Sequence, residues 1–337
     1  MNRSPSNLAQ FFFDLTNRLR FQANHSNRIG RLFARVAFKI VHPISKMTAV
    51  KRTVVAKVYG HSLVMPAEHP LAPTLIAFPQ YNRPLGQALS AVANVNPTIS
   101  LLGVIDVGAN VGDTIAILEQ RRPGICSYLC IEADKDLARL CISNHSDNKR
   151  VHVEQSFIGE NEGSLVRLED DGRANPSTKL ATETAAIHDG GVGRLVRLDT
   201  IALPFAHALG HLDLIKVDTE GYDFSVLRSA PSLLGTYKPA LFFEWFPKLL
   251  LGLNEEVWDG FEYLKQFGYD YFVFFTNQGD YYCKVTFPDR LLLQSFASIT
   301  TNGGPLLYFD VFATTSELIC NELVELAVTE NLPAPLV

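Results

Sequence analysis

The 337-residue sequence has no Cys-x-x-Cys pair and no histidine–cysteine cluster at zinc spacing; its five cysteines stand apart at 126, 130, 141, 283 and 320. That scatter argues against a zinc ribbon or a redox dithiol. It fits reduced thiols packed as small apolar side chains in a cytoplasmic protein. No apolar run approaches the length of a membrane-spanning helix. The run at Phe11–Phe13 is too short for a signal peptide and is soon interrupted by Asp14 and Asn17. There is no internal repeat, no low-complexity tract and no G-x-G-x-x-G fingerprint of a dinucleotide site.

What is present is a core-forming composition, 47% apolar, with an uneven charge. Residues 1–60 hold eleven lysines and arginines against the single acid Asp14, a charge of +10, so a net −5 leaves −15 on the remainder. This describes a basic arm beside an acidic body. The simplest expectation is a solvated helical face docked on that body. Peripheral contact with an anionic membrane surface or an acidic partner is the alternative. Nucleic acid is disfavoured because the arm carries no recognised binding motif.

Residues 8–42 read as one or two amphipathic helices, with Leu32, Phe33, Val36, Ala37 and Ile40 at helical spacing, and Pro43 is expected to end them. The expected organisation is a helical arm over 1–52, a hairpin and helix over 53–100, a main domain over 101–315 and a C-terminal helix and tail over 316–337. Strand-like apolar runs at 102–107, 127–132, 151–157, 212–218, 239–244, 269–275 and 306–313 alternate with helical segments. This is an α/β pattern: a seven-stranded, mostly parallel sheet with an antiparallel edge strand and helices on both faces. The polar, turn-rich stretch 160–200 breaks the alternation and reads as a substrate lid or insert.

The first turn of that sheet, "VIDVGANVGDT" (104–114), has the form D-x-G-x-N-x-G, with Asp106 where a dinucleotide site needs its first glycine. A glycine here lets backbone approach a ligand closely. Asp106 and Asp113 favour a cationic ligand over a phosphate, which suits S-adenosylmethionine. Glu132 closes the second strand, where an acid accepts ribose hydroxyls. Gln155 and Ser156 close the third, placed to face an adenine edge. The cofactor set is therefore Asp106, Gly108, Ala109, Asn110, Gly112, Asp113, Glu132, Gln155 and Ser156.

"VIDVGANVGDT", "CIEAD", "LDTI" (198–201), "LIKVDTEGYDFSVLRSA" (214–230) and "PALFFEW" (239–245) together resemble the FkbM-type methyltransferases. The resemblance spans about 60–315, and "KVDTEGYDFSVL" is its most specific element. It implies a Rossmann-like methyltransferase fold and S-adenosylmethionine-dependent methylation of a hydroxyl oxygen on a saccharide or other small-molecule acceptor. Asp218, Glu220 and Glu244, at the ends of strands four and five, are the candidate catalytic acids. Asp218 is the leading general base or hydroxyl binder. Glu220 would bind substrate or cap the next helix, and Glu244 precedes Trp245, which could stack on a sugar. The three acids could also hold magnesium through oxygen ligands; nothing in the spacing demands it, and a metal is not favoured. His188 and His211 are weaker candidate bases, and Asp199 reads as a turn or lid anchor. A nicotinamide-dependent oxidoreductase, or an inactive binding module of the same fold, are the alternative readings.

Overall fold

The computed structural model describes residues 7–26, 28–49, 52–169, 177–180 and 192–331. Two long helices, α1 (Asn7–His25) and α2 (Arg28–Ala49), precede the hairpin β1 (Thr53–Val58) and β2 (His61–Pro66) and the helices α3 (Leu71–Ala77) and α4 (Arg83–Val95). Next come β3 (Leu102–Val107), α5 (Asp113–Arg121), β4 (Cys126–Glu132), α6 (Lys135–Asn144) and β5 (Val151–Gln155). Short strands β6 (Phe157–Ile158), β7 (Leu165–Glu169), β8 (Ser177–Leu180) and β9 (Val192–Val196) lead to α7 (Leu198–Leu209) and β10 (Leu214–Val217). Then follow α8 (Asp223–Arg228), α9 (Pro231–Thr236), β11 (Ala240–Trp245), α10 (Pro247–Gly252) and α11 (Asp259–Lys265). The described chain closes with β12 (Tyr271–Thr276), β13 (Tyr281–Thr286), α12 (Arg290–Thr301), β14 (Phe309–Thr314) and α13 (Glu317–Asn331).

The main sheet runs β13-β12-β14-β11-β10-β3-β4-β5. Strands β5, β4, β3, β10 and β11 are parallel, while β14, β12 and β13 are antiparallel to their neighbours. This is the Rossmann-like methyltransferase order, with β3 and β10 adjacent at the switch point where such sheets bind ligands. There are eight strands rather than seven. The extra one, β13, lies at the edge with half-buried or exposed residues, so it lacks the continuous apolar run that marks the others. Every residue of β3, β4 and β11 is buried, as expected of strands covered on both faces.

Residues of alternate parity feed two separate cores. Ile105, Ile215, Leu241 and Phe243 pack with α7, α8 and α11 on one face, whereas Val104, Leu214 and Phe242 pack with α4, α5 and α13 on the other. A third core joins the N-terminal elements to the body: Phe13, Val54, Val58 and Met65 pack on Val111, Ala116 and Leu137.

The arm departs from expectation at its proline. Helix α2 runs through Pro43 to Ala49. The ring is compatible with helical φ, and a proline removes one backbone hydrogen bond without forbidding the turns beyond it; Thr48 Oγ1 bonds the Ser45 carbonyl at 3.0 Å in the turn that follows. The arm docks through α1. It is the apolar face of α1, with Ala9, Phe13 and Leu19 buried, that packs on the body, while Leu32, Phe33 and Ile40 of α2 face solvent. No helix among the described residues is long and apolar enough to cross a membrane.

The described parts of 160–200 carry β7, β8 and β9, which join β6 just before them in a separate four-stranded sheet of order β6-β9-β7-β8. His188 lies outside the described residues.

Candidate active site

Glycine shapes the turn after β3 for a reason other than ligand approach. Gly108 has φ +80°, and a Cβ there would sit 1.9 Å from the Asp218 carbonyl oxygen. Gly112 has φ +85°, and its Cβ would meet the His145 ring at 2.5 Å and Cys141 Sγ at 3.1 Å. Both glycines are therefore required by protein packed against the turn, and Gly108 also lines the cleft, whereas Gly112 does not. The close approach of Asp218 backbone to Gly108 locks the turns after β3 and β10 together.

Between those turns lies Lys216, in the middle of the apolar run "LIKV". It is the register partner of Asp106 across the β3–β10 pair. Its Nζ lies 3.0 Å from Asp106 Oδ1 and 3.5 Å from Asp218 Oδ2, and donates a hydrogen bond to the Gly108 carbonyl at 3.1 Å. Burial opposes the ammonium charge, but Asp106, Asp218 and Asp113 more than compensate and its pKa lies above the ordinary lysine value. Asp106 is fully buried and does not line the cleft. Asp106 therefore does not face a ligand directly, as the sequence suggests, but lies beneath the cleft, paired with Lys216.

The cleft opens at the carboxyl ends of β3, β4 and β10, lined by Gly108, Asn110, Asp113, Glu132, Ser156, Lys216, Asp218 and Glu220. Glu132 Oε2 accepts from the Asn110 N–H at 2.7 Å and Oε1 from the Asp134 N–H at 2.8 Å, so this carboxylate fastens two turns while facing the cleft. Burial outweighs those donors and lifts its pKa to about 7. Burial also raises Asp113 to about 6, with Lys216 opposing and Asp106 adding to the shift.

The N-terminal segment supplies the roof. His69, Thr74, Tyr81 and Asn82 line the same cleft. His69 Nδ1 accepts from the Leu71 N–H at 3.3 Å, so its Nε2–H donates to Asn110 Oδ1 at 2.9 Å. Burial lowers this histidine to about 4, partly offset by the Asn110 bond, so it is neutral and serves to orient Asn110. No local pattern in the sequence connects His69 or Tyr81 with a turn some 30 to 40 residues later.

Several candidates fall elsewhere. Ala109 is buried in the core under the turn, Gly112 faces His145, and Gln155 is exposed, with its amide donating to the Ala133 carbonyl at 3.2 Å. None of the three lines the cleft. Glu244 lies in the sheet opposite Asp310, buried; its Oε2 has no hydrogen-bond partner. Burial first, then Asp218, Asp223, Glu220 and Asp310, push its pKa well above the ordinary glutamate value, which favours the neutral form and weakens the case for Glu244 as a base. Trp245 is fully buried on the opposite sheet face, donating to the Val257 carbonyl at 3.1 Å and stacked on Phe309. His211 pairs with Asp213 at the amino end of β10, the wrong edge for the cleft. Asp199 accepts from the Ser232 and Leu233 N–H groups at 2.8 and 3.0 Å, capping α9.

Asp223 was also missed. Its Oδ2 accepts from Thr219 Oγ1 at 3.2 Å and its Oδ1 from the Glu244 N–H at 3.1 Å, which ties the turn after β10 to β11. Glu220 holds φ +53° in that turn and lines the cleft. Among the described residues no three His, Cys, Asp or Glu side chains group as a metal-ligand set.

Among curated proteins none matches the chain significantly. Remote likenesses to solved structures include the METTL16 MTase domain, at 10% identity and TM-score 0.38, with 77% of this chain and 75% of that one covered. Cofactor-bound Rv0187 from MTB aligns at 12% identity and TM-score 0.36 over 70% and 80% of the two chains. The plantazolicin methyltransferase BpumL in complex with SAH aligns at 9% and 0.33 over 91% and 99%. Residues 106–271, from Asp106 at the end of β3 to the start of β12, match the family model described as "Methyltransferase FkbM domain", and the chain carries a methyltransferase domain of that family.

Proposed function

We propose that the chain transfers a methyl group from S-adenosylmethionine to a hydroxyl oxygen of a saccharide or other small hydroxylated acceptor, in the cytoplasm. The observation that carries this reading is the charge of the cleft. Asp113, Glu132, Asp218 and Glu220 line it with Lys216 as the one cationic side chain among the described lining residues. Such a lining fits a donor bearing an ammonium and a sulfonium, and disfavours the pyrophosphate of a nicotinamide nucleotide. When bound, S-adenosylmethionine supplies a methyl group on a cationic sulfur that departs as a neutral thioether.

In this reading Glu132 accepts hydrogen bonds from ribose hydroxyls through the lone pairs its backbone donors leave. The turn carrying Asn110, braced by His69, and Asp113 face the cationic amino-acid end. Asp218, with 45% of its side chain exposed, meets the acceptor: it accepts a hydrogen bond from the hydroxyl and takes its proton as the oxygen is alkylated. Tyr81 and Tyr222 give the same cleft aromatic surface for an acceptor ring.

Calorimetric titration should give micromolar binding of S-adenosylhomocysteine and none of NAD. With methyl-labelled donor and cell extract, Asp218→Ala should bind S-adenosylhomocysteine as the parent does while slowing transfer by roughly 10²–10⁴-fold. NAD binding would overturn the donor assignment, and an Asp218→Ala enzyme with parental turnover would overturn the base.

A further inference from the structure

Helix α2 wears its apolar residues outward. Ile29, Leu32, Phe33, Val36, Ile40 and Met47 recur at helical spacing and form one stripe, with Phe33 72% and Met47 81% exposed. The opposite side of the helix is the packed one: Ala34 and Ala49 are buried, and Arg20 of α1 lies over the Phe38 ring at 5.1 Å. Arg31, Arg35, Lys39 and Lys46 lie together along one flank of the stripe, and residues 28–49 contain no acid. Below the stripe a groove runs between the helical pair and α3, with Leu32, Val36, Pro73 and Ile76 as walls and Arg35 and Lys39 at its rim.

An apolar stripe beside a row of cations cannot satisfy itself on this chain. Among the described residues the net-negative body leaves it uncovered, the apolar residues outward and α1 inward. A second copy meeting it face to face would set one row of cations against another and gain nothing from charge. A surface with hydrocarbon beneath anionic headgroups complements both parts at once, and the helix is too charged to cross it. We propose that α2 is an interfacial docking helix that seats the protein on an anionic lipid surface, lying in the plane of the headgroups with Leu32, Phe33 and Ile40 inserted. This is independent of the acceptor and of the donor.

The test is flotation of the full chain with phosphatidylcholine vesicles carrying about 30% phosphatidylserine, against pure phosphatidylcholine, near physiological salt. The parent should float with the anionic vesicles only. Leu32→Ser/Phe33→Ser/Ile40→Ser and Arg31→Gln/Arg35→Gln/Lys39→Gln should each lower binding by roughly tenfold or more. Both should keep the parental circular dichroism and melting, because every substituted side chain is on the solvent side. Failure of the parent to float, equal flotation with neutral vesicles, or serine-variant binding at the parental level would each overturn the proposal. So would a parental dimer, seen by sedimentation, that the serine variant dissolves.

Discussion

The two faces of the central sheet end differently. On one face, Val107, Val217 and Trp245 carry apolar packing to the last residue of their strands, and all three are buried. On the other, the apolar positions Val104, Leu214 and Phe242 give way two residues later to Asp106, Lys216 and Glu244, with Asp218 and Glu132 at the same parity. Side chains alternate across a strand, so a single shift of parity at the carboxyl edge separates a core from a cleft. The candidate cleft opens on the charged end, and the apolar face packs behind it. Trp245 and Glu244 illustrate the rule: neighbours in sequence, they belong to opposite faces, and the aromatic residue serves the core.

The charged end depends on one cation, so its removal is the hardest way to break the comparison. Lys216→Met keeps the length of the side chain but leaves buried Asp106 without its 3.0 Å partner. Stripping one member from a buried pair typically costs about 3–5 kcal/mol. Urea unfolding should show that loss, and the double variant Asp106→Asn/Lys216→Met should recover most of it. A Lys216→Met protein as stable as the parent would mean the pair contributes nothing to the fold.

Asp106 and Asp218 share that lysine, and substituting each sharpens the contrast between buried and open carboxylates. Asp106→Asn, at a fully buried position, should destabilise by roughly 1–3 kcal/mol. Asp218→Asn removes a 3.5 Å pair that is 45% exposed on the aspartate side, and should change stability by less than about 1 kcal/mol. Melting temperatures of the two variants, measured side by side without ligand, decide it. Equal losses would mean that the cleft edge is structurally as demanding as the interior.

The sheet and most of its strands were legible in the sequence because strands buried on both faces must be apolar throughout, as in β3, β4 and β11. The turn after β3 was legible as a site, but not the reason for its glycines, since Gly108 answers to a backbone carbonyl more than a hundred residues away. Lys216 was within reach of sequence reasoning. A lysine inside "LIKV" must find a counter-charge if the strand is buried, and the strand-end acids were the obvious partners. His69 and Tyr81 were not, because a loop before the main domain reaches the cleft only through the packing of the N-terminal hairpin and helices on the body. The outward direction of the α2 stripe was not legible either. Helical spacing shows that a face is apolar, not which surface it meets.

The smallest effect tests the charged end without mutation. Glu132, held near 7 by burial, has a folded pKa above its unfolded value. Such a carboxyl lends stability that is complete below the unfolded pKa and fades as pH rises through the folded one. His69, held near 4, has the opposite sign and acts only below its ordinary value, in the acid range. Between roughly pH 6.5 and 8.5 Glu132 should cost the ligand-free protein about 1 kcal/mol, and Asp223, which burial and then Asp218 raise to about 8, adds a loss of the same sign, so the melting temperature should fall by more than roughly 1–2 °C. Glu132→Gln carries no such charge and should make the slope over that interval shallower without removing it, because Asp223 remains. S-adenosylhomocysteine binding should change with pH in the other direction, tightening as Glu132 becomes a carboxylate able to accept two hydroxyls. A melting temperature that rises from pH 6.5 to 8.5 would mean that Glu132 is already ionised when the protein folds, and that its two backbone donors outweigh its burial.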